Sequence, residues 1–297
     1  MDIVRSAHAA ESESRVSSLL HVKPNLMIGL YQLESVLGRP DLNLERAVHL
    51  VEFAADAGAD IVVFPEMYLT GYMAQMESRQ LAEPLDGPSL AEIRKVCASR
   101  EVFAVMGMPT ISSEAVGFIN NSAVVVGPHG VVGAHHKLSL PTFHIGDILL
   151  TEGNYWSPGT ELRLFDIHGW KVALNICADA WFPEIPRTQA IQGAHVIITI
   201  SAGPSIWKEG WPMVLATRAM ENGVYQAYSN VVGTQRNVEF FGGNVIIEPS
   251  GAEVIHGPIG KEALTLGPVN ISTLYDARTQ QPRLRPGYDR PRLHWLG

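Results

Sequence analysis

The sequence predicts a layered α/β fold with helices covering both faces of its sheets. Two observations carry that expectation. Strand-like apolar runs alternate with helical stretches through the first half of the chain, and hairpins are interspersed later. The hairpin VVVGPHGVVGAHHK is also echoed by VIIEPSGAEVIH more than a hundred residues on, which points to two similar halves within one domain. At 297 residues and 46% hydrophobic content the chain is long enough to bury a full core.

Order is expected to begin near Asn25, with residues 1–24 a loosely held extension and 25–297 a single domain. NLMIGLYQL reads as the first strand. In NLERAVHLVEFAADAGAD, Leu44, Ala47, Val48, Val51 and Ala54 fall on one helical face, and Gly58 stops the helix. IVVFPE is a short apolar strand ending in Pro65 and Glu66. SLAEIRKVCASR opens on a capping-box pattern, Ser89 followed three residues later by Glu92. Its Leu90, Ile93 and Cys97 share a face, so Cys97 reads as core.

VFAVMGMP is another buried strand, and NSAVVVGPHGVVGAHHK gives two strands joined by a turn at Gly127–Gly130. LRLFDIHGWKVALNIC is a second hairpin, turning at His168–Gly169. Pro183 and Pro186 suit the first turn of a helix that runs toward Gly193. HVIITISAG is strand, and WPMVLATRAMENGV is helical, with Val214, Leu215, Arg218 and Ala219 near one stripe. VYQAYSNVVG and the hairpin NVIIEPSGAEVIH complete the strands. The tail from about 276 to 297, with its run of Pro and Arg, reads as extended.

The net charge of −8 provides no basic footprint for nucleic acid. No apolar run reaches the ~18 residues of a membrane span. Two cysteines, Cys97 and Cys177, are too few for a disulfide framework and lack the paired spacing of a zinc site. The first twenty-odd residues carry acidic side chains and no sustained apolar core, unlike a secretory or transit peptide. A cytoplasmic protein with a reduced thiol is the expectation.

Three polar residues stand where apolar strands end: Glu66 after IVVFP, Lys137 after VVGAHH, and Cys177 after VALNI. A thiol is a poor nucleophile until a base removes its proton. A carboxylate in a desolvated pocket has raised proton affinity and can be that base. An ammonium beside them can hold the charge that develops on a carbonyl or nitrile adduct. A helix starting just after the cysteine would point its N–H groups the same way. Together the three make a coherent set for acyl transfer.

With those residues in view, the sequence resembles the nitrilase superfamily of carbon–nitrogen hydrolases. VVFPEMYLTGY resembles the family's glutamate motif, HHKLSLPTF its lysine motif and NICADAWFPE its cysteine motif, and the likeness runs from about Met27 to Tyr288. TEGNYWSPG resembles the segment carrying a second glutamate, here Glu152. The resemblance implies an α-β-β-α sandwich that dimerises into a four-layered assembly, needing no metal or other cofactor. It implies Cys177 as nucleophile, Glu66 as general base and then acid, and Lys137 as oxyanion stabiliser. Glu152 would position the lysine or substrate, and the Ala178 N–H would be a second oxyanion donor.

True nitrilases of this family commonly place Trp-Glu after the cysteine, where this chain has Ala178 and Asp179. That shifts the expectation toward amide or carbamoyl substrates. Carbamoyl amino acid hydrolases often supply an arginine near the cysteine, but Ala180 and Trp181 stand here. Arg187 is expected to pair with Glu184, which leaves Arg236 or another loop residue to supply any charge. The candidate substrate-binding residues are Tyr72, Phe143, His144, Trp181 and Trp207, an aromatic set suited to a small neutral acyl group. His135 and His136 should point to opposite faces of their strand, which argues against a shared metal. The expected activity is a cysteine-dependent amidase acting on a small non-peptide amide. A nitrilase, a carbamoyl-amine hydrolase and a catalytically retired binding homologue are the alternatives.

Overall fold

The computed structural model describes residues 2–5, 16–18, 21–112, 115–281 and 284. Two sheets form its centre. The first contains β1 (Asp2–Arg5), β2 (Asn25–Gln32), β3 (Ile61–Val63), β4 (Phe103–Ile111), β5 (Ile119–Gly127), β6 (Gly130–His136) and β17 (Ala263–Asn270). Their order across the sheet is β1-β17-β2-β3-β4-β5-β6. The second contains β9 (Leu164–Ile167), β10 (Trp170–Ile176), β11 (Val196–Ser201), β12 (Tyr225–Asn230), β15 (Val245–Ile247) and β16 (Glu253–His256). Their order is β16-β15-β12-β11-β10-β9. Two small hairpins, β7 (Thr142–Ile145) with β8 (Ile148–Thr151) and β13 (Val232–Gln235) with β14 (Val238–Phe241), follow the ends of β6 and β12.

The halves repeat one pattern. β2, β3 and β4 are parallel, and β5 and β6 continue antiparallel with an irregularity in the last pair. β10, β11 and β12 are likewise parallel, and β15 and β16 continue antiparallel with an irregularity in the last pair. One antiparallel strand flanks each series, β17 beside β2 and β9 beside β10. The sequence echo is therefore β5–β6 against β15–β16.

Parallel neighbours need crossovers, and helices supply them. α1 (Pro40–Asp56) leads from β2 to β3; α2 (Ser78–Leu81) and α3 (Pro88–Arg100) lie between β3 and β4. α4 (Glu184–Ile191) leads from β10 to β11, α5 (Gly210–Asn222) from β11 to β12, and α6 (Ile271–Gln280) follows β17. Strand alternation then sorts the apolar residues. Leu26, Ile28, Leu30, Ile61 and Val63 meet Val172, Leu174, Ile176, Val196, Ile198 and Ile200 between the sheets. Tyr31, Val62 and Phe64 face the other way, onto Ala47, Val51, Leu90, Ile93 and Cys97 of α1 and α3. Ala173 and Ile197 face Ala190 of α4, and Tyr228 packs on Trp211 of α5. The result is an α-β-β-α sandwich. Each fully buried branched side chain contributes roughly 1.5–3 kcal/mol, so the seam between the sheets holds the strand ends firmly.

Several details differ from the sequence reading. Pro88 takes the first helical position of α3, so Gly87 is the cap residue and Ser89 lies inside the helix. No capping box forms: the Ser89 hydroxyl and N–H both donate to Glu83, and Glu92 pairs with Lys95. Residues 2–5, read as part of a loose extension, pair with β17. Residues 276–280 are helical, because the prolines that oppose helix begin only at Pro282. Beyond Gln281 only Leu284 is described, so the rest of the tail lies outside the described residues. No ion pair joins Arg187 to Glu184 among the described residues; Arg236 pairs with Glu77 at 2.5 Å. None of the described helices is long and apolar enough to cross a membrane.

Candidate active site

Glu66 sits on a tight turn after β3, and Met67 beside it adopts a left-handed φ of 53°. Gly107 of β4 makes that turn possible, since a Cβ there would lie 2.0 Å from the Pro65 carbonyl oxygen. The turn buries Glu66 completely. Its Oε1 accepts from Lys137 Nζ at 2.8 Å and Asn121 Nδ2 at 2.7 Å. Its Oε2 accepts from the Ala202 N–H at 2.7 Å, just beyond the end of β11. One carboxylate thus ties both sheets together.

Lys137 follows β6, and its N–H is fixed by the Asn121 carbonyl at 2.8 Å. The ammonium is fully buried and also donates to Glu152 Oε1 at 2.6 Å. Tyr72 OH donates to that same oxygen at 2.7 Å, while Glu152 Oε2 has no partner among the described residues. Burial works against the lysine charge, but the nearby carboxylates of Glu152 and Glu66 outweigh it and hold Lys137 protonated. Burial raises the Glu152 carboxyl to about 7 despite the opposing pull of Lys137. Buried ions are costly even when paired, and clusters of perturbed, enclosed charges of this kind gather at functional sites, which makes this chain of carboxylate, ammonium and carboxylate the candidate site.

Cys177 lies one residue past β10, with a left-handed φ of 46°. Such a conformation in a non-glycine residue costs of order 1–3 kcal/mol and concentrates at functional sites. Glu66 and Lys137 are wholly enclosed, whereas Cys177 and Ala178 each keep 8% of their surface accessible. Burial first, and then the charge of Glu66, raise the thiol pKa, with Lys137 pulling the other way. The resting sulfur is therefore held as a neutral thiol. Ala178 is the second residue of the 3₁₀ turn Cys177–Trp181, in the first turn of which N–H groups lack helical acceptors.

Sequence reasoning passed over Asp179. Its buried carboxylate accepts four hydrogen bonds. Oδ1 takes the N–H groups of Leu138 and Ser139 at 3.1 and 2.8 Å, immediately after Lys137. Oδ2 takes the Ile176 N–H at 3.0 Å and His135 Nε2 at 3.0 Å. The sulfur-bearing turn is thereby stapled to the lysine loop. His136 points elsewhere, its Nδ1 2.7 Å from the Ser122 hydroxyl. Asn121 was also missed; a polar pair opening an otherwise apolar strand was its only signal.

Of the aromatic candidates, Tyr72 touches the charged cluster directly, and its ring lies 5.7 Å from Trp156 and 6.1 Å from Phe240. Phe143 and Trp207 meet edge to face at 4.9 Å. Trp181 is 40% exposed and packs against Trp211. His144 is exposed, on the face of β7 opposite Phe143.

A sequence model described as carbon–nitrogen hydrolase matches residues 27–279. A glutamine-dependent NAD(+) synthetase of Thermotoga maritima is 30% identical over 271 residues, covering 88% of this chain and 45% of that protein. The chain thus spans a little under half the length of that relative. A nitrilase of Pyrococcus abyssi is 32% identical over 233 residues, covering 77% of this chain and 83% of the other. Among solved structures, Nit3 of Saccharomyces cerevisiae, a nitrilase-superfamily member, superposes with a TM-score of 0.79 at 22% identity. That match covers 91% of this chain and 97% of Nit3, and it is a likeness of fold.

Proposed function

The chain belongs to the carbon–nitrogen hydrolase family, and on that premise we propose that it is a cysteine-dependent amidase acting on a small non-peptide amide. The observation that carries the reading is the enclosed Glu66–Lys137–Glu152 cluster beside a strained, just-accessible cysteine. Sulfur attacks the amide carbon as Glu66 takes its proton. Lys137 Nζ and the Ala178 N–H hold the oxyanion, where one donor is worth roughly two to three orders of magnitude in rate. Glu66 then protonates the departing amine, the C–N bond breaks and a thioester remains. Water attacks the thioester, gives its proton to Glu66, and the sulfur leaves and recovers that proton. Glu152 Oε2, with no partner among the described residues, is suited to accept from the substrate amide.

Ala178-Asp179 in place of Trp-Glu supports amides over nitriles, and Asp179 has a full set of partners of its own. The glutamine-dependent relative supports a second reading, in which the substrate is the primary amide of a glutamine-like side chain. The nitrilase relative keeps nitriles as the competing class. Incubation with amides, glutamine, nitriles and carbamoyl amines, following ammonia and intact mass, separates these readings. Ammonia from nitriles but not from amides refutes the main one. Cys177→Ala should abolish turnover and acyl-enzyme while leaving the fold intact; full activity in that variant ends the proposal.

The same reading extends to the assembly and its setting. A homodimer packed through α4 and α5 would cover Phe182, Ile191, Met213 and Met220, all exposed in the single chain. A reducing cytoplasm suits a nucleophile that must stay a free thiol, and both cysteines are free.

A further inference from the structure

Just past the end of β11, which pairs with the strand that leads into Cys177, three buried polar groups converge on one glycine. A Cβ on Gly203 would lie 2.7 Å from Trp211 Nε1, 2.8 Å from Tyr228 OH and 3.2 Å from Ser201 Oγ. All three side chains are enclosed, and none of these atoms has a hydrogen-bond partner among the described residues. Burial raises the pKa of both the Cys177 thiol and the Tyr228 hydroxyl, and the neighbouring Ser201 hydroxyl pulls each the other way. No hydrogen bond of full geometry joins it to either. Trp211 and Tyr228 are also walls of a cavity of about 390 Å³ that is rimmed by Lys208, Glu209, Glu253 and His256. Along the same two strands, Thr199 Oγ1 and both polar atoms of Gln226 also lack partners among the described residues.

Buried polar groups are rarely left unpaired, and where several gather they hold ordered water. We infer that the space around Gly203 is a water site fed from the outer cavity, and that it delivers the hydrolytic water to the Cys177 thioester. The inference rests on the thioester reading above. While the acyl group fills the substrate side of Cys177, water from the Ser201 and Tyr228 hydroxyls reaches the carbonyl carbon. Its proton passes to Glu66, the carbon–sulfur bond breaks, and the thiolate takes the proton back. Glycine is needed at position 203 because a methyl there would fill the meeting point. Asn230 fixes the Gly203 backbone, accepting from its N–H at 2.7 Å, so the loop cannot simply swing aside.

Two measurements test this. A crystal structure of the resting protein should show ordered water within hydrogen-bond distance of Trp211 Nε1 and Tyr228 OH; a dry site overturns the inference whatever the enzyme's activity. Tyr228→Phe and Ser201→Ala remove a hydroxyl without adding volume, and Gly203→Ala adds a methyl. With a short-chain amide, each should keep its burst of released ammonia while thioester breakdown slows roughly three- to tenfold. Acyl-enzyme, seen by intact mass, should accumulate accordingly. Unchanged breakdown in both hydroxyl variants overturns the supply role even if water is present. Absence of any acyl-enzyme in the parent protein is a failure of the amidase reading, and the hydration test still decides the water site.

Discussion

Asp179→Asn separates positioning of the proposed nucleophile, Cys177, from support of the fold. The variant amide keeps one acceptor oxygen and turns the other corner into a donor. Placed at the Oδ1 corner, that donor would oppose the N–H groups of both Leu138 and Ser139. It therefore goes to the Oδ2 corner, where His135 can change tautomer to accept but the Ile176 N–H cannot. One buried donor is orphaned, costing about 1–3 kcal/mol, and the remaining bonds lose their charge assistance. A loss of about 3 kcal/mol lowers Tm by roughly 6 °C in a chain of this size. Ile176 directly precedes Cys177, so the orphaned N–H drags the sulfur with it. A displacement of ~1 Å costs about a hundredfold in rate. The expected result is kcat down about a hundredfold with KM within about threefold, read alongside thermal melting. A variant that melts early yet keeps its kcat would reduce Asp179 to a structural staple and refute the argument.

Three further outcomes follow from the same geometry. Burial lifts Glu152 to about 7, so the folded protein binds more protons than the unfolded chain above the ordinary carboxylate pKa, and this group's contribution to stability falls as pH rises toward 7. Tyr72→Phe removes a hydrogen bond that favours the carboxylate, and the ascending limb of the pH–rate profile should move up by about one unit; an unmoved limb refutes a role for ionised Glu152. Lys137→Met leaves Glu66 and Glu152 facing each other uncompensated, so stability should drop by about 3–5 kcal/mol and fall more steeply from pH 5.5 to 8 than in the parent. Melts with equal pH slopes would contradict this. Gly107→Ala drives a methyl into the Pro65 carbonyl and should cost about 1–3 kcal/mol or more together with activity, because it displaces the turn that carries Glu66.

What the sequence determined by itself was local. Apolar runs bounded by turn residues marked most strands, helical periodicity marked α1, α3 and α5, and the hairpin echo marked the two halves. Glu66, Lys137 and Cys177 stood out as candidates because each is a polar residue at the end of an apolar strand, and strand ends of open sheets are where side chains meet ligands. Other features depended on partners far away in the chain. Glu66 is held by Asn121 and by the Ala202 N–H, 55 and 136 residues distant, and no local pattern announces such pairs. The fourfold role of Asp179 was hidden for the same reason. Trp181 and His144 sit beside the key motifs in sequence, yet alternation and turn geometry carry both to exposed positions. Only packing of the two sheets decided which polar groups lost water together. That shared desolvation, rather than residue type, raises Glu152, keeps the Cys177 thiol protonated, and leaves Ser201, Tyr228 and Trp211 facing one another around Gly203.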